Sequence, residues 1–240
     1  MYADLHCHLL WGIDDGAKTP EESLEMARTL VKLGFDAVAP SPHARPEYPA
    51  AGPVAERRDE LQALLDRERV ALKLHSGAEH LFDENFMQRA ITPERRSIND
   101  KRYVLVEAPY VGSIPGLADL IFKLKLKGIT AVIAHPERCA QFETKGQAQE
   151  ASRVGAVLQL DIGALTGRYG KTARKLALQF LAQGLYGIGA TDLHSAVGAE
   201  DWVGRSLHEL EREVGKQGVA SMMDRNPHRI LAGEELEQRE

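Results

Sequence analysis

The chain has 240 residues, a formal charge of −5, 43% hydrophobic residues and 27% charged ones. This is the composition of a globule with a sizeable core, and it excludes intrinsic disorder and collagen-like structure. A mildly acidic chain has no overall field to hold nucleic acid or an anionic membrane, so an anionic substrate needs a local positive site.

In chain order, Tyr2 to His8 reads as a strand. The segment has no basic leader region and no small-residue cleavage site, and no later apolar run approaches the ~20 residues of a membrane span, so a cytoplasmic location is expected. Glu21 to Leu33 is amphipathic, with Thr19 as N-cap, Pro20 at the first helical position and Glu21 and Glu22 in the first turn. Further strands are predicted at Phe35 to Pro40, Val70 to His75, Tyr103 to Ala108, Thr130 to Ala134, Val157 to Asp161 and Tyr186 to Thr191. Helices are predicted at Val54 to Arg67, Gly116 to Lys127, Thr172 to Ala182 and Trp202 to Gly215, with Gly34, Gly128 and Gly184 closing three helices at C′. The pattern is a βα-repeat. No linker, repeat or low-complexity tract divides it, so one domain spanning 1–240 is expected. No strand is followed by GxGxxG or GxxxxGK[ST], which leaves the nucleotide-binding sheet without support. Polar residues at the C-terminal ends of the strands favour a barrel instead.

Two cysteines, Cys7 and Cys139, make no disulfide framework. His6-Cys7 resembles the start of a cysteine-phosphatase loop, but the required Arg six residues on is Ile13, and after Cys139 it is Lys145. His6 and His8, at i and i+2 of an extended run, point the same way while Cys7 points to the other face. An isolated HxH is weak evidence for a metal pair, and taken alone it reads more often as surface or hydrogen-bonded histidines. Asp14 and Asp15 in Gly12-Ile13-Asp14-Asp15-Gly16 read as turn residues or as carboxylates brought to the same strand end.

The other strand ends repeat the theme with His43, Glu79, Glu107, His135, Asp192 and His194. Glu107 and His135 follow runs of apolar β-formers, so each sits at the rim of a buried strand, where an unpartnered polar group is costly. One such residue is ordinary; most strands ending in His or carboxylate point to a shared metal cluster. Mixed imidazole and carboxylate donors suit Mn, Fe or Zn. Divalent ions there would activate a bound water as a nucleophile. Arg138, three residues past His135 on the same loop, is placed to pair with a bound anion; its other reading is a surface ion pair with Glu137. His75, His80, His208 and His228 have no such placement, and the arginines at 57, 58, 67 and 69, interleaved with acids, read as a solvated helix face.

With these residues in view, the chain resembles the polymerase-and-histidinol-phosphatase (PHP) superfamily. More narrowly, it is similar to the manganese-dependent bacterial tyrosine-protein phosphatases of capsule and exopolysaccharide operons, the CpsB and YwqE type. The resemblance rests on Asp4 to Leu10, Gly12 to Thr19, Glu21 to Ala27, Pro42-His43, Gly77-Ala78-Glu79, Ala134 to Arg138, Leu165 to Gly170 and Asn226-Pro227. It implies an α/β fold, a distorted (β/α)7 barrel, with a trinuclear manganese site. His6, His8, Glu79 and Asp192 would hold the first ion, Asp14, His43 and His194 the second, and Glu79, Glu107 and His135 the third. The implied substrate and partner is a phosphotyrosine-bearing bacterial tyrosine autokinase. The family's Arg-Pro-Pro segment after the Asp192-Leu193-His194 motif is missing, and Arg205 reads equally as the substitute for its phosphate-binding arginine or as a helix residue facing solvent. A small-molecule phosphatase, for example of histidinol phosphate, and a non-catalytic metal-binding regulatory module remain as alternatives. A nuclease is disfavoured by the charge balance.

Overall fold

The computed structural model describes residues 1–236. Eight strands, all in parallel pairs, form two sheets: β1 (Tyr2–Asp4), β2 (Phe35–Val38) and β3 (Lys73–Leu74) in one, and β4 (Glu79–Leu81), β5 (Tyr103–Glu107), β6 (Thr130–Ala134), β7 (Val157–Asp161) and β8 (Tyr186–Ala190) in the other. Two isolated parallel bridges link the sheets: Cys7 with Leu193, beyond the ends of β1 and β8, and His43, beyond the end of β2, with Glu79 at the start of β4. The first bridge is reinforced where His8 N donates to Leu193 O and Asp192 N to His6 O, at 2.9 and 2.8 Å. At the second, Ala44 N donates to Glu79 O at 2.8 Å.

Helices cover the outside: α1 (Pro20–Lys32), α2 (Ala51–Arg67), α3 (Glu84–Arg89), α4 (Leu117–Leu126), α5 (Ala140–Glu143), α6 (Gln147–Arg153), α7 (Gly170–Ala182), α8 (Ala199–Val219) and α9 (Asn226–Ala232). The α1 signals act as the sequence predicts: Thr19 caps Glu22 N and Pro20 opens the helix. Gly34, Gly128 and Gly184 take positive φ just after their helices. Gly215 breaks α8 with φ of 69°, where the predicted helix ends.

Several features depart from the expected elements: β1 ends at Asp4 and not at His8, and the short helices α3, α5, α6 and α9 carry no predicted counterpart. The strand predicted over Val70 to His75 pairs only at Lys73 and Leu74; Val70 N bonds back to Leu65 O, so the earlier part closes the end of α2. The short strand β4 was not expected. Three residues carry too little alternation to signal a strand.

The core is layered. Most apolar side chains lie between strands and helices, among them Val104, Val106, Ile121, Ile133, Leu158 and Phe180. A smaller inner core is built from alternate strand residues, Ala3, Ala37, Leu105, Val132, Ala134 and Ile188, closed by Ile98, Tyr103, Ile230 and Leu231. Parallel strands place all their C-terminal ends on one side of this core.

Candidate metal centre

His6 and His8 follow β1, His43 follows β2, Glu79 opens β4, Glu107 closes β5, His135 follows β6, and Asp192 and His194 follow β8. His135 and Asp192 leave their strands with φ of 31° and 52°. Backbone of this kind costs on the order of 1 kcal/mol per residue and clusters at functional sites. The Gly12 to Gly16 loop rests on His8 itself. A Cβ at Gly16 would fall 2.1 Å from His8 O, so only glycine lets the loop carry Asp14 and Asp15 so close.

The donors converge. His6 Nε2 lies 3.3 Å from Glu79 Oε1 and 3.1 Å from Asp192 Oδ1, and His8 Nε2 is 3.4 Å from Asp192 Oδ1. Glu79 is central: His135 Nε2 is 3.2 Å from its Oε1 and His43 Nδ1 2.9 Å from its Oε2. Four sets of ligand atoms each fall within 4.8 Å of one another. They are His6, His8 and Glu79; His6, His135 and Asp192; His43, Glu79 and Glu107; and His8, Asp15, His43 and His194. His75, His80, His208 and His228 belong to none of these sets.

Donor chemistry fits divalent ions. His43 Nδ1 is buried and makes no hydrogen bond despite its 2.9 Å approach to Glu79, so its lone pair and the carboxylate face a common point. On its far side, His6 Nδ1 meets Gln159 Oε1 at 2.9 Å, and His194 Nδ1 meets Asp192 O at 2.8 Å. Each contact leaves Nε2 for a metal, as ligating imidazoles require.

Asp14 differs from the sequence-based assignment in its placement. Its carboxylate accepts from His8 Nδ1 at 2.7 Å and from the backbone N of Gly16 and of His43. Asp15, more than half exposed, supplies the oxygen near His43 and His194 at 3.5 Å. The sequence reading left open whether Asp15 shares the role, because adjacent residues in a turn cannot be ranked by spacing.

Electrostatics tie the cluster together. Burial opposes protonation of His8, but Asp14 and Asp192 outweigh it and raise its pKa to about 10. Burial is likewise outweighed at His6, which Glu79 and Asp192 push well above the usual imidazole range. The same contacts overcome burial at Asp14, lowering it to about 2, and hold Glu79 and Asp192 well below the carboxylate range. Burial lowers His135 and His194. In this charge state protons on His6 and His8 balance the carboxylates, and a divalent ion bound there would replace them.

Arg138 borders the cluster. Its Nη1 donates to Asp161 Oδ2 at 3.0 Å and Asp192 Oδ2 at 2.5 Å, its Nη2 donates to the Tyr110 hydroxyl at 2.8 Å, and its guanidinium lies 4.2 Å from the Tyr169 ring centroid. The alternative partner, Glu137, is instead buried against Tyr186 and the backbone of Asp161. Arg205 is not brought to the cluster: it pairs with Asp201 at 2.7 Å on α8 with 68% of its side chain exposed. A second guanidinium, that of Arg45, contacts Glu107 directly. Arg45, Asp161, Tyr110 and Gln159 were missed. Asp161 carried the signal used for Glu107, an acid ending an apolar strand, while Arg45 stands two residues past His43.

A sequence profile described as capsular polysaccharide synthesis, CpsB/CapC, matches residues 2–232. The chain belongs to the CpsB/CapC family. Within it, this member is 31% identical over 239 residues to the tyrosine-protein phosphatase YwqE of Bacillus subtilis, covering 97% of this chain and 92% of YwqE. It is 24% identical to the tyrosine-protein phosphatase CpsB of Streptococcus pneumoniae, covering 95% and 97% of the two chains. A crystal structure from work on YwqE and CpsB, described there as metal-dependent tyrosine phosphatases, matches with a TM-score of 0.92 at 29% identity, covering 99% of this chain and 97% of that one. The α/β fold of this CpsB/CapC member, parallel sheets clad in helices, is therefore the fold of YwqE and CpsB. No helix among the described residues is long and apolar enough to cross a membrane.

Proposed function

We propose that this chain is a metal-dependent protein-tyrosine phosphatase acting on a bacterial tyrosine autokinase in the control of capsule or exopolysaccharide synthesis. The observation that carries the reading is one buried set of imidazole and carboxylate donors bordered by Arg138, in a chain similar over nearly its whole length to YwqE. The proposal extends to a single domain over 1–240 in the cytoplasm and to a PHP-type distorted (β/α)7 barrel, for which the two bridges between the sheets and the inner core argue. Three ions, manganese by resemblance and Fe or Zn by donor type, would be held by His6, His8, His43, Glu79, Glu107, His135, Asp192 and His194. Asp15 would complete the set, with Asp14 orienting His8 from behind.

Bound divalent ions would supply Lewis-acid polarisation of the phosphoryl group and an activated water near neutral pH. The chain's own part is to bind and orient. Arg138, held by Asp161 and Asp192, pairs with phosphoryl oxygens and offsets charge developing in the transition state. Arg205, exposed on α8, has no place in this reading. No thiol takes part: burial pushes Cys139 up to about 12 and Cys7 well above its ordinary value, so neither is a thiolate at neutral pH.

The test is metal-depleted protein, restored with Mn²⁺ and assayed on a phosphotyrosyl peptide beside histidinol phosphate. The expected result is no turnover without metal and at least tenfold higher kcat/KM on the peptide. Preference for histidinol phosphate would establish the small-molecule reading instead. Hydrolysis of neither, with His135→Ala altering only partner binding, would establish a regulatory module.

A further inference from the structure

Tyr110 stands on the loop between β5 and α4 at the mouth of the cluster, 46% exposed. Its ring lies nearly parallel to the His135 imidazole, with centroids 5.8 Å apart and planes 12° from coincident. Its hydroxyl accepts from Arg138 Nη2 at 2.8 Å, and the Arg138 guanidinium lies 5.3 Å from its ring centroid. One side of this ring is thus fixed by the groups at the phosphate end of the site, while much of the rest faces solvent. Val111 beside it is 88% exposed, which continues the apolar lip outward.

The floor of the site is closed, with His6, His8, Glu79 and His135 all nearly inaccessible. A phosphate monoester seated between Arg138 and the donors must therefore direct its ester oxygen outward. The leaving group leaves along the open side, past Tyr110. Of the two rings against Arg138, Tyr169 is partly buried against the core and Tyr110 is the more exposed, while Tyr48 stacks on His43 with centroids 5.5 Å apart on the other side of the cluster.

We infer that Tyr110 is a specificity-determining residue whose exposed face stacks on the leaving group and selects aryl over alkyl phosphate monoesters. This rests on the phosphatase reading above and deepens it. An aromatic pair in offset contact has the magnitude to give a modest, measurable preference, about three- to tenfold in affinity. Tyr110 also touches Arg138, so a purely positioning role predicts a different result: loss of its hydroxyl or ring would weaken every phosphate equally.

Two variants of the Mn²⁺-loaded full chain separate the roles. Tyr110→Phe removes only the hydroxyl, and Tyr110→Leu removes the aromatic face while keeping apolar bulk. Dissociation constants for benzylphosphonate and methylphosphonate, measured by calorimetry, report recognition without turnover. The expected result is that Tyr110→Leu weakens benzylphosphonate about three- to tenfold and leaves methylphosphonate within about twofold, with Tyr110→Phe within about twofold on both. Equal weakening of both ligands, or of neither, by Tyr110→Leu overturns the inference. Wild-type protein that binds metal but hydrolyses no phosphotyrosyl peptide overturns the phosphatase reading itself; active wild type with equal losses overturns only the role of Tyr110.

Discussion

Gln159 gives the sharpest test of how the centre is built. It is fully buried in β7, where Leu158 and Leu160 flank it, and its Oε1 lies 2.9 Å from His6 Nδ1. That bond fixes Nδ1 as the protonated nitrogen and turns the Nε2 lone pair toward Glu79 and Asp192. Gln159→Leu keeps the volume and removes the acceptor. It leaves a buried N–H without a partner, at about 1–3 kcal/mol. If the whole penalty falls on the metal-bound tautomer, affinity drops by about 5- to 150-fold, within the roughly 10- to 100-fold typical of such outer contacts. Gln159→Glu restores an acceptor and should recover part of the loss. Chelator competition against Mn²⁺ measures the affinity, and thermal unfolding of the metal-free variants checks that the sheet is intact. Metal affinity within about twofold of wild type in Gln159→Leu would refute the reasoning, because His6 would then need no orienting bond.

The remaining predictions address the rim and the pH response. Arg138→Ala should retain metal and lose about 100-fold or more in kcat/KM, the scale of losing one preorganised charge donor; Arg205→Ala, on an exposed face, should stay within about twofold in the same assay. Asp15→Asn should lower bound metal with little change in unfolding temperature, whereas Asp14→Ala should lower both, since its carboxylate also holds Gly16 N and His43 N; metal analysis and melting curves decide. Burial lowers the pKa of His75, whose Nδ1 meets Asn99 Oδ1 at 3.1 Å. Below the ordinary imidazole value of about 6.5 the unfolded chain then binds more protons than the folded one, so stability is lost as pH falls. His75→Gln should flatten the slope of unfolding free energy as pH falls below about 6.5; an unchanged slope would show that His75 does not contribute.

The sequence by itself determined the βα order, the helix caps at Thr19 and Gly34, and the identity of the polar strand ends. Those follow from local rules: periodicity places an apolar run in a strand, and an acid or imidazole ending such a run has to lie at a rim. The candidate donors were legible for that reason, through Glu107 and His135 most of all, and the structure brings their side chains together. What only the tertiary structure decided depends on residues far apart in the chain. It gave the two neighbours in one turn different surroundings, Asp14 meeting His8 Nδ1 and Asp15 grouping with His8, His43 and His194 from three strand ends. It brought Tyr110, Arg138 and Asp161 into one arrangement from the ends of three strands, and it left Arg205 beside Asp201 on α8. Spacing along a chain specifies which residues share a strand end; the register between strands specifies which ends meet, and the buried cluster of imidazoles and carboxylates is the product of that meeting.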